Sequence, residues 1–231
     1  EDPRIDPLEW NFALSLCDLD PELIKLANKE CLLSSTYEPS SKTKMKLRAA
    51  PGAGTMYLQS ECAEALAELF AGAEEAGYKL YLKSAYRAYK TQKTMYNNRL
   101  ERNNGKDDGW VSKPGASDHQ TGLGCDVVPG SWKDKSMNSN MASTPECQWM
   151  AEHCYEYGFV IRYPEDKQDI TEINYEPWHL RYVGKEVARY IWRNGLCLEE
   201  FHEQLQAAID AYLAAGGDAR RVEDLIQTSA E

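Results

Sequence analysis

The chain has 231 residues, 42% hydrophobic, 10% aromatic and 27% charged. That is too apolar and aromatic for wholesale disorder, and long enough to bury roughly 70% of the surface its unfolded form exposes. A formal net charge of −11, from 37 acidic against 26 basic side chains, repels phosphate backbones and anionic lipid surfaces, so no nucleic acid is expected as a partner. No run approaches 18 consecutive apolar residues and the opening EDPRIDPLEW lacks the basic and apolar regions of a signal peptide, so no membrane span is expected in this chain.

Residues 1–48 read as an N-terminal wrapping segment, because DPELIKLANKECLLSSTYEPSSKTKMKLR mixes a short helical start with Ser, Pro and Lys. From Ser60 the spacing of Cys62, Leu66, Leu69, Phe70 and Ala73 predicts a helix that stops at Gly77. YKLYLKS alternates as a strand does, and AYKTQKTMYNNRLERNNG returns to helical spacing before an Asn-Gly breaker. A loop rich in Gly, Asp and Pro over 104–117 leads into a strand at GLGCDVV, with Leu123, Cys125 and Val127 on one face and Gly124, Asp126 and Val128 on the other. A helix at PECQWMAEHCYEYG, strands at FVIRY and PWHLRYV and a helix at KEVARYIWRNG complete a core over 49–197. Helices and strands do not alternate strictly, so the expected class is α+β, with a small antiparallel sheet flanked by helices. Residues 198–231 form a C-terminal extension whose amphipathic helix puts Leu198, Phe201, Leu205, Ala208, Ile209 and Tyr212 on one face, the pattern of a helix that covers its own domain.

The seven cysteines, Cys17, Cys31, Cys62, Cys125, Cys147, Cys154 and Cys197, contain no CxxC pair, so a thiolate zinc cluster has no support and at least one is unpaired. Most are expected to be small buried apolar residues. Cys147 and Cys154 share a helix face, and one or two disulfides among the others stay open.

Only four histidines occur. His119 enters the strand that carries Asp126, and His179 follows Glu176 by three residues. Two imidazole nitrogens and one carboxylate oxygen form a three-ligand zinc set that leaves a fourth position for water, and Glu176 is then the spare carboxylate for proton transfer. By itself a His-Asp pair seven apart is a weak signal, since a histidine in a strand is more often a satisfied core or surface residue. His153 and His202 have no partner at ligand spacing. No G-x-S-x-G elbow, P-loop or dinucleotide fingerprint is present.

The two segments resemble, nearly residue for residue, the S-x-H-x-x-G-x-x-x-D and E-x-W-H motifs of the VanY-type D-alanyl-D-alanine carboxypeptidases and their LAS metallopeptidase relatives. The matching residues are Ser117, His119, Gly122 and Asp126, then Glu176, Trp178 and His179. SAYRAYKTQ is similar to a further family stretch that supplies an arginine and a glutamine, here Arg87 and Gln92. The resemblance runs over about residues 20 to 200, with departures at Gly124 and Cys125 and in QDITEINYEPWH, which has no Gly before its Glu. It implies one Zn2+ per chain held by His119, Asp126 and His179, with Glu176 as acid-base and Arg87 facing a substrate carboxylate or the developing oxyanion. Ser117 and Gln92 are implied as substrate-binding. Tyr86 and Trp178 are further candidates to line the substrate pocket, against the alternative that strand aromatics are usually core. The implied reaction is release of a terminal D-amino acid from peptidoglycan stem peptides, outside the cytoplasm, in the cell envelope or secreted. L,D-carboxypeptidase action on tetrapeptide stems and a non-catalytic zinc-bearing cell-wall binding domain are the alternatives.

Overall fold

The computed structural model describes residues 16–226. Two short antiparallel strands, β1 (Thr43–Lys44) and β2 (Tyr57–Leu58), precede α1 (Ser60–Glu75), β3 (Leu80–Ser84), α2 (Tyr89–Arg102) and β4 (Gly124–Pro129). Then come α3 (Pro145–His153), β5 (Phe159–Ile161), the single turn α4 (Gln168–Thr171), β6 (His179–Tyr182), α5 (Lys185–Asn194) and α6 (Leu198–Ala214). Strands β3, β4, β6 and β5 form one sheet in that order, antiparallel at every pairing. This is the expected α+β class. No helix among the described residues is long and apolar enough to cross a membrane.

Helix α1 buries the predicted face, Cys62, Leu66, Leu69, Phe70 and Ala73, in one core with Leu80, Leu82, Cys125 and Val127 of the sheet and Leu123 just before β4. Helix α3 closes the same core with Cys147 and Met150; its N-cap Thr144 accepts from Cys147 N at 3.4 Å and Pro145 occupies the first turn, where a missing N–H costs nothing. The helix predicted to continue through Tyr157 tightens at Cys154 into a 3-10 turn. Gly158 ends that turn at φ 86°, and a Cβ there would lie 2.6 Å from the Tyr182 ring, so the change of geometry is what lets β5 swing in beside β6.

A second core lies beyond β5. Val160, Val183, Val187, Ala188 and Ile191 pack with Leu198, Phe201, Leu205 and Ile209 of α6, and with Leu16, Ile24 and Leu26 from the N-terminal segment. The apolar face of α6 thus covers this chain's own core, with Ala208 and Tyr212 partly buried at its edge. Residues 16–48 hold no α-helix and run along the molecule by backbone contacts such as Leu33 N to Gly115 O at 2.8 Å. The first fifteen residues of the expected wrapping segment and the last five of the expected extension lie outside the described residues.

All seven cysteines are free, five of them buried. The disulfides left open by the sequence are absent, and Cys147 and Cys154 sit in one apolar core.

Candidate active site

The sheet register builds the centre of the site. Asp126 on β4 stands directly opposite His179 at the start of β6, and both are almost wholly buried. His119 arrives from outside the sheet on a 3-10 turn, Asp118–Thr121, that Ser117 caps by accepting from His119 N at 3.3 Å. Gly122 closes the turn at φ 71°, and Gly124 lets it fold back on β4, since a Cβ at 124 would lie 2.9 Å from that of Asp118. The exit of β3 straps the turn from the other side: Arg87 N donates to His119 O at 2.9 Å, and His119 Nδ1 lies 2.7 Å from Ala85 O. That carbonyl fixes Nδ1 as the donor and leaves the Nε2 lone pair facing Asp126.

His119 Nε2 is 3.4 Å from Asp126 Oδ2, and His179 Nδ1 is 3.2 Å from Asp126 Oδ1. Donor atoms of all three residues lie within 4.8 Å of one another. Zinc bonds of about 2.0–2.1 Å in a tetrahedron require ligand separations of about 3.3 Å, and two imidazoles with one carboxylate are donors that zinc accepts. Asp126 Oδ1 is buried without a hydrogen bond, as a carboxylate oxygen reserved for a cation would be. The three residues therefore fit the ion.

Electrostatics separate the two carboxyl groups. Burial alone would raise the Asp126 pKa, but His119 and then His179 hold it well below the usual carboxylate range. For Glu176 burial wins: its pKa is raised despite His179 Nδ1 3.4 Å from Oε2, and the Asp126 charge adds to the rise. A carboxylate fixed as anion beside a carboxyl poised to hold a proton is the division that a ligand and a general base need. His119 is lowered, first by burial and then by Arg87, so its imidazole stays neutral. Without a metal, His179 is raised to about 9: burial opposes the shift, and Asp126 and Glu176 overcome it.

Around this centre lies a cavity of about 400 Å³, with Arg87, Ser117, Glu176 and Trp178 in its lining. Arg87 donates to Gln92 Oε1 at 2.9 Å and to Ser84 Oγ at 3.0 Å; burial lowers its pKa while Asp126 and Glu176 pull it back, and a guanidinium remains charged in any case. Gln92, on the buried side of α2, commits its oxygen to Arg87 and its amide to Ser112 O at 2.6 Å, so it aims the arginine. Trp178 stacks on Trp110 with centroids 6.4 Å apart.

Tyr86 is the exception among the expected residues. It does not line the cavity: its hydroxyl donates to Glu38 Oε2 at 2.9 Å and Lys42 lies over its ring. As neighbours on an extended segment, Tyr86 and Arg87 point to opposite sides, and the side that serves Arg87 excludes the tyrosine. His153 contacts Glu156 and His202 contacts Ile24 O, both away from the site. Sequence reasoning missed Tyr163, whose ring is 5.0 Å from that of His179, and the buried charges Asp118, Arg162 and Arg181 behind it. The available signal was an arginine inside each of two otherwise apolar strands, FVIRY and HLRYV, which demands a buried anion.

Comparison with known proteins agrees with the geometry. A family model described as D-alanyl-D-alanine carboxypeptidase, VanY, matches residues 55–185. YodJ of Bacillus subtilis (strain 168), a provisionally assigned carboxypeptidase, is 39% identical over 191 residues, covering 81% of this chain and 70% of YodJ. The solved structure of the LdcB LD-carboxypeptidase, described for its peptidoglycan recognition, matches with a TM-score of 0.73 at 40% identity over 79% of this chain and 87% of that one. A D,D-pentapeptidase VanY from a VanB-type vancomycin resistance cassette, solved with Zn(II), gives a TM-score of 0.65 at 28% identity over 78% of this chain and 98% of its own.

Proposed function

We infer that this chain, which belongs to the VanY D-alanyl-D-alanine carboxypeptidase family, is a zinc peptidase that removes the terminal D-amino acid from peptidoglycan stem peptides. The observation that carries the reading is the register of β4 and β6, which sets Asp126 against His179 with His119, Glu176 and Arg87 around one cavity. His119, Asp126 and His179 would hold one zinc ion, which when bound would supply an acidified water and a Lewis acid for the scissile carbonyl.

The remaining chemistry belongs to side chains of this protein. Glu176, its pKa raised by burial, accepts the proton of the attacking water and returns it to the departing amine. Arg87, braced by Gln92 and Ser84, presents a charged fork to the free carboxylate of the substrate, which makes the enzyme trim ends. The Ser117 hydroxyl lines the same cavity, accepts from His119 N and keeps its own proton to donate. Peptidoglycan lies outside the cytoplasm, and the enzyme's place of action with it.

The resemblance read from the sequence put D-alanyl-D-alanine carboxypeptidase action first, with L,D cleavage of tetrapeptide stems as the alternative. The greater likeness to LdcB, in both identity and TM-score, favours L,D cleavage of tetrapeptide stems. Mass spectrometry of synthetic tetra- and pentapeptide stems after incubation with the zinc-loaded protein tests this. Loss of one D-alanine from the tetrapeptide is the expected result, loss from the pentapeptide alone restores the D,D reading, and intact peptides with zinc bound leave a non-catalytic wall-binding domain.

A further inference from the structure

The two nitrogens of His179 face different environments. Nδ1 looks into the site, toward Asp126 and Glu176. Nε2 is buried without a hydrogen-bond partner, and Asp118 Oδ2 lies 4.0 Å from it. A histidine that binds metal through one nitrogen ordinarily gives the N–H of the other to a carboxylate or carbonyl, which fixes the ring and raises its basicity.

Asp118 is fully buried, and each of its oxygens is already claimed by an arginine. Arg162 Nε donates to Oδ2 at 2.6 Å and Arg181 Nη1 to Oδ1 at 2.5 Å. Two guanidinium groups on one carboxylate would leave an excess positive charge behind a metal ligand, among fully buried side chains where charge is costly. The balance comes from α6. Glu199 in its first turn takes a bidentate pair from Arg162, Nη1 to Oε2 at 2.8 Å and Nη2 to Oε1 at 2.7 Å, so two anions meet two cations. With Arg162 satisfied from its far side, Asp118 keeps negative charge to offer His179.

We propose that Glu199 is a positioning residue for the metal site, acting through Arg162 and Asp118 to hold His179 with Nδ1 toward the metal. This rests on the metal-site reading above and extends it to a helix beyond the segment matched by the family model, residues 55–185. The C-terminal helix is then part of the site's machinery as well as a cover for the second core.

The rival is a structural staple, in which the buried ion pairs only fasten α6. Zinc affinity separates the two. The full chain is stripped of metal and titrated with zinc against a chromophoric chelator, with the melting temperature of each variant recorded alongside. Asp118→Asn should weaken zinc binding about 10- to 100-fold, the usual effect of removing a ligand's outer partner. Glu199→Gln, which keeps the shape and loses the charge, should weaken it severalfold, and the double variant should bind no worse than Asp118→Asn alone, because the two act in series. Phe201→Leu loosens α6 without touching a charge; it should lower the melting temperature and leave zinc affinity unchanged. Unaltered zinc affinity in Glu199→Gln overturns the proposal, as does an equal loss of affinity in Phe201→Leu. Failure of the wild-type chain to bind zinc would instead sink the metal-site reading itself.

Discussion

Glu176 is held where its charge is unwelcome. A buried carboxyl with a raised pKa stabilises the fold below the ordinary carboxylate pKa, and that contribution is lost as pH rises through the higher folded value. In the metal-free protein the same carboxyl also pairs with His179, so Glu176→Gln exchanges one effect on the fold for another. The variant should retain zinc and lose about 10² to 10⁴ in turnover, the usual share of general acid-base catalysis. Loss of zinc from Glu176→Gln would mean that the residue is a ligand. Arg87 calls for a different measurement, since a guanidinium near the scissile bond can touch both carboxylate and oxyanion. A charge-assisted pair is worth about 1.5–3 kcal/mol, or about ten- to a hundredfold. Amidating the terminal carboxylate should lower wild-type kcat/KM by at least that factor, while Arg87→Ala should cleave acid and amide about equally poorly. Equal wild-type rates on the two would point to an endopeptidase.

At the scale of elements, α6 shows what periodicity can and cannot give. Its apolar face was legible because Leu198, Phe201, Leu205 and Ile209 recur at helical spacing, and those side chains are buried, with Glu199 beside them. Phe201 is fully buried against α5 and the N-terminal segment, so Phe201→Ala should cost about 3–5 kcal/mol in chemical denaturation. A cost under 1 kcal/mol would mean that the helix is not docked in solution. Glu199 was not legible, because an acidic residue in a helix's first turn is ordinary and its partner Arg162 is 37 positions away. The His119, Asp126 and His179 cluster was readable for the opposite reason: its spacing within two short segments is dictated by a turn entering β4 and a loop entering β6, both local. Tyr86 failed at the step from motif to direction. The motif names neighbours in sequence, and an extended chain sends neighbours apart. The 3-10 turn after α3 was equally hidden, since Tyr182, which requires Gly158, lies on another strand.

For the molecule as a whole, the site sits on the central pairing of the sheet, so metal content should be felt by the entire fold. An ion bound only by the native state stabilises it by about 2.7 kcal/mol at a hundred times its dissociation constant. At about 2–4 °C per kcal/mol for a chain of this size, that raises the melting temperature by about 5–11 °C. The gain should depend on pH in a direction set by His179. In the metal-free protein its pKa of about 9 exceeds the unfolded value of about 6.5. The pairing with Asp126 and Glu176 thus contributes fully below pH 6.5 and is lost as pH rises through 9. Zinc must displace the same proton from Nδ1, so its binding strengthens over the same window. His119 and His202, both lowered, titrate below pH 6.5 and do not interfere. The raised thiols of the buried cysteines act alike in both forms and cancel in the difference. Melting curves of zinc-loaded and chelator-treated protein between pH 6.5 and 9 should therefore draw apart as pH rises. A gap that stayed constant or narrowed would show that His179 gives up no proton on binding, and would remove it from the ligand set.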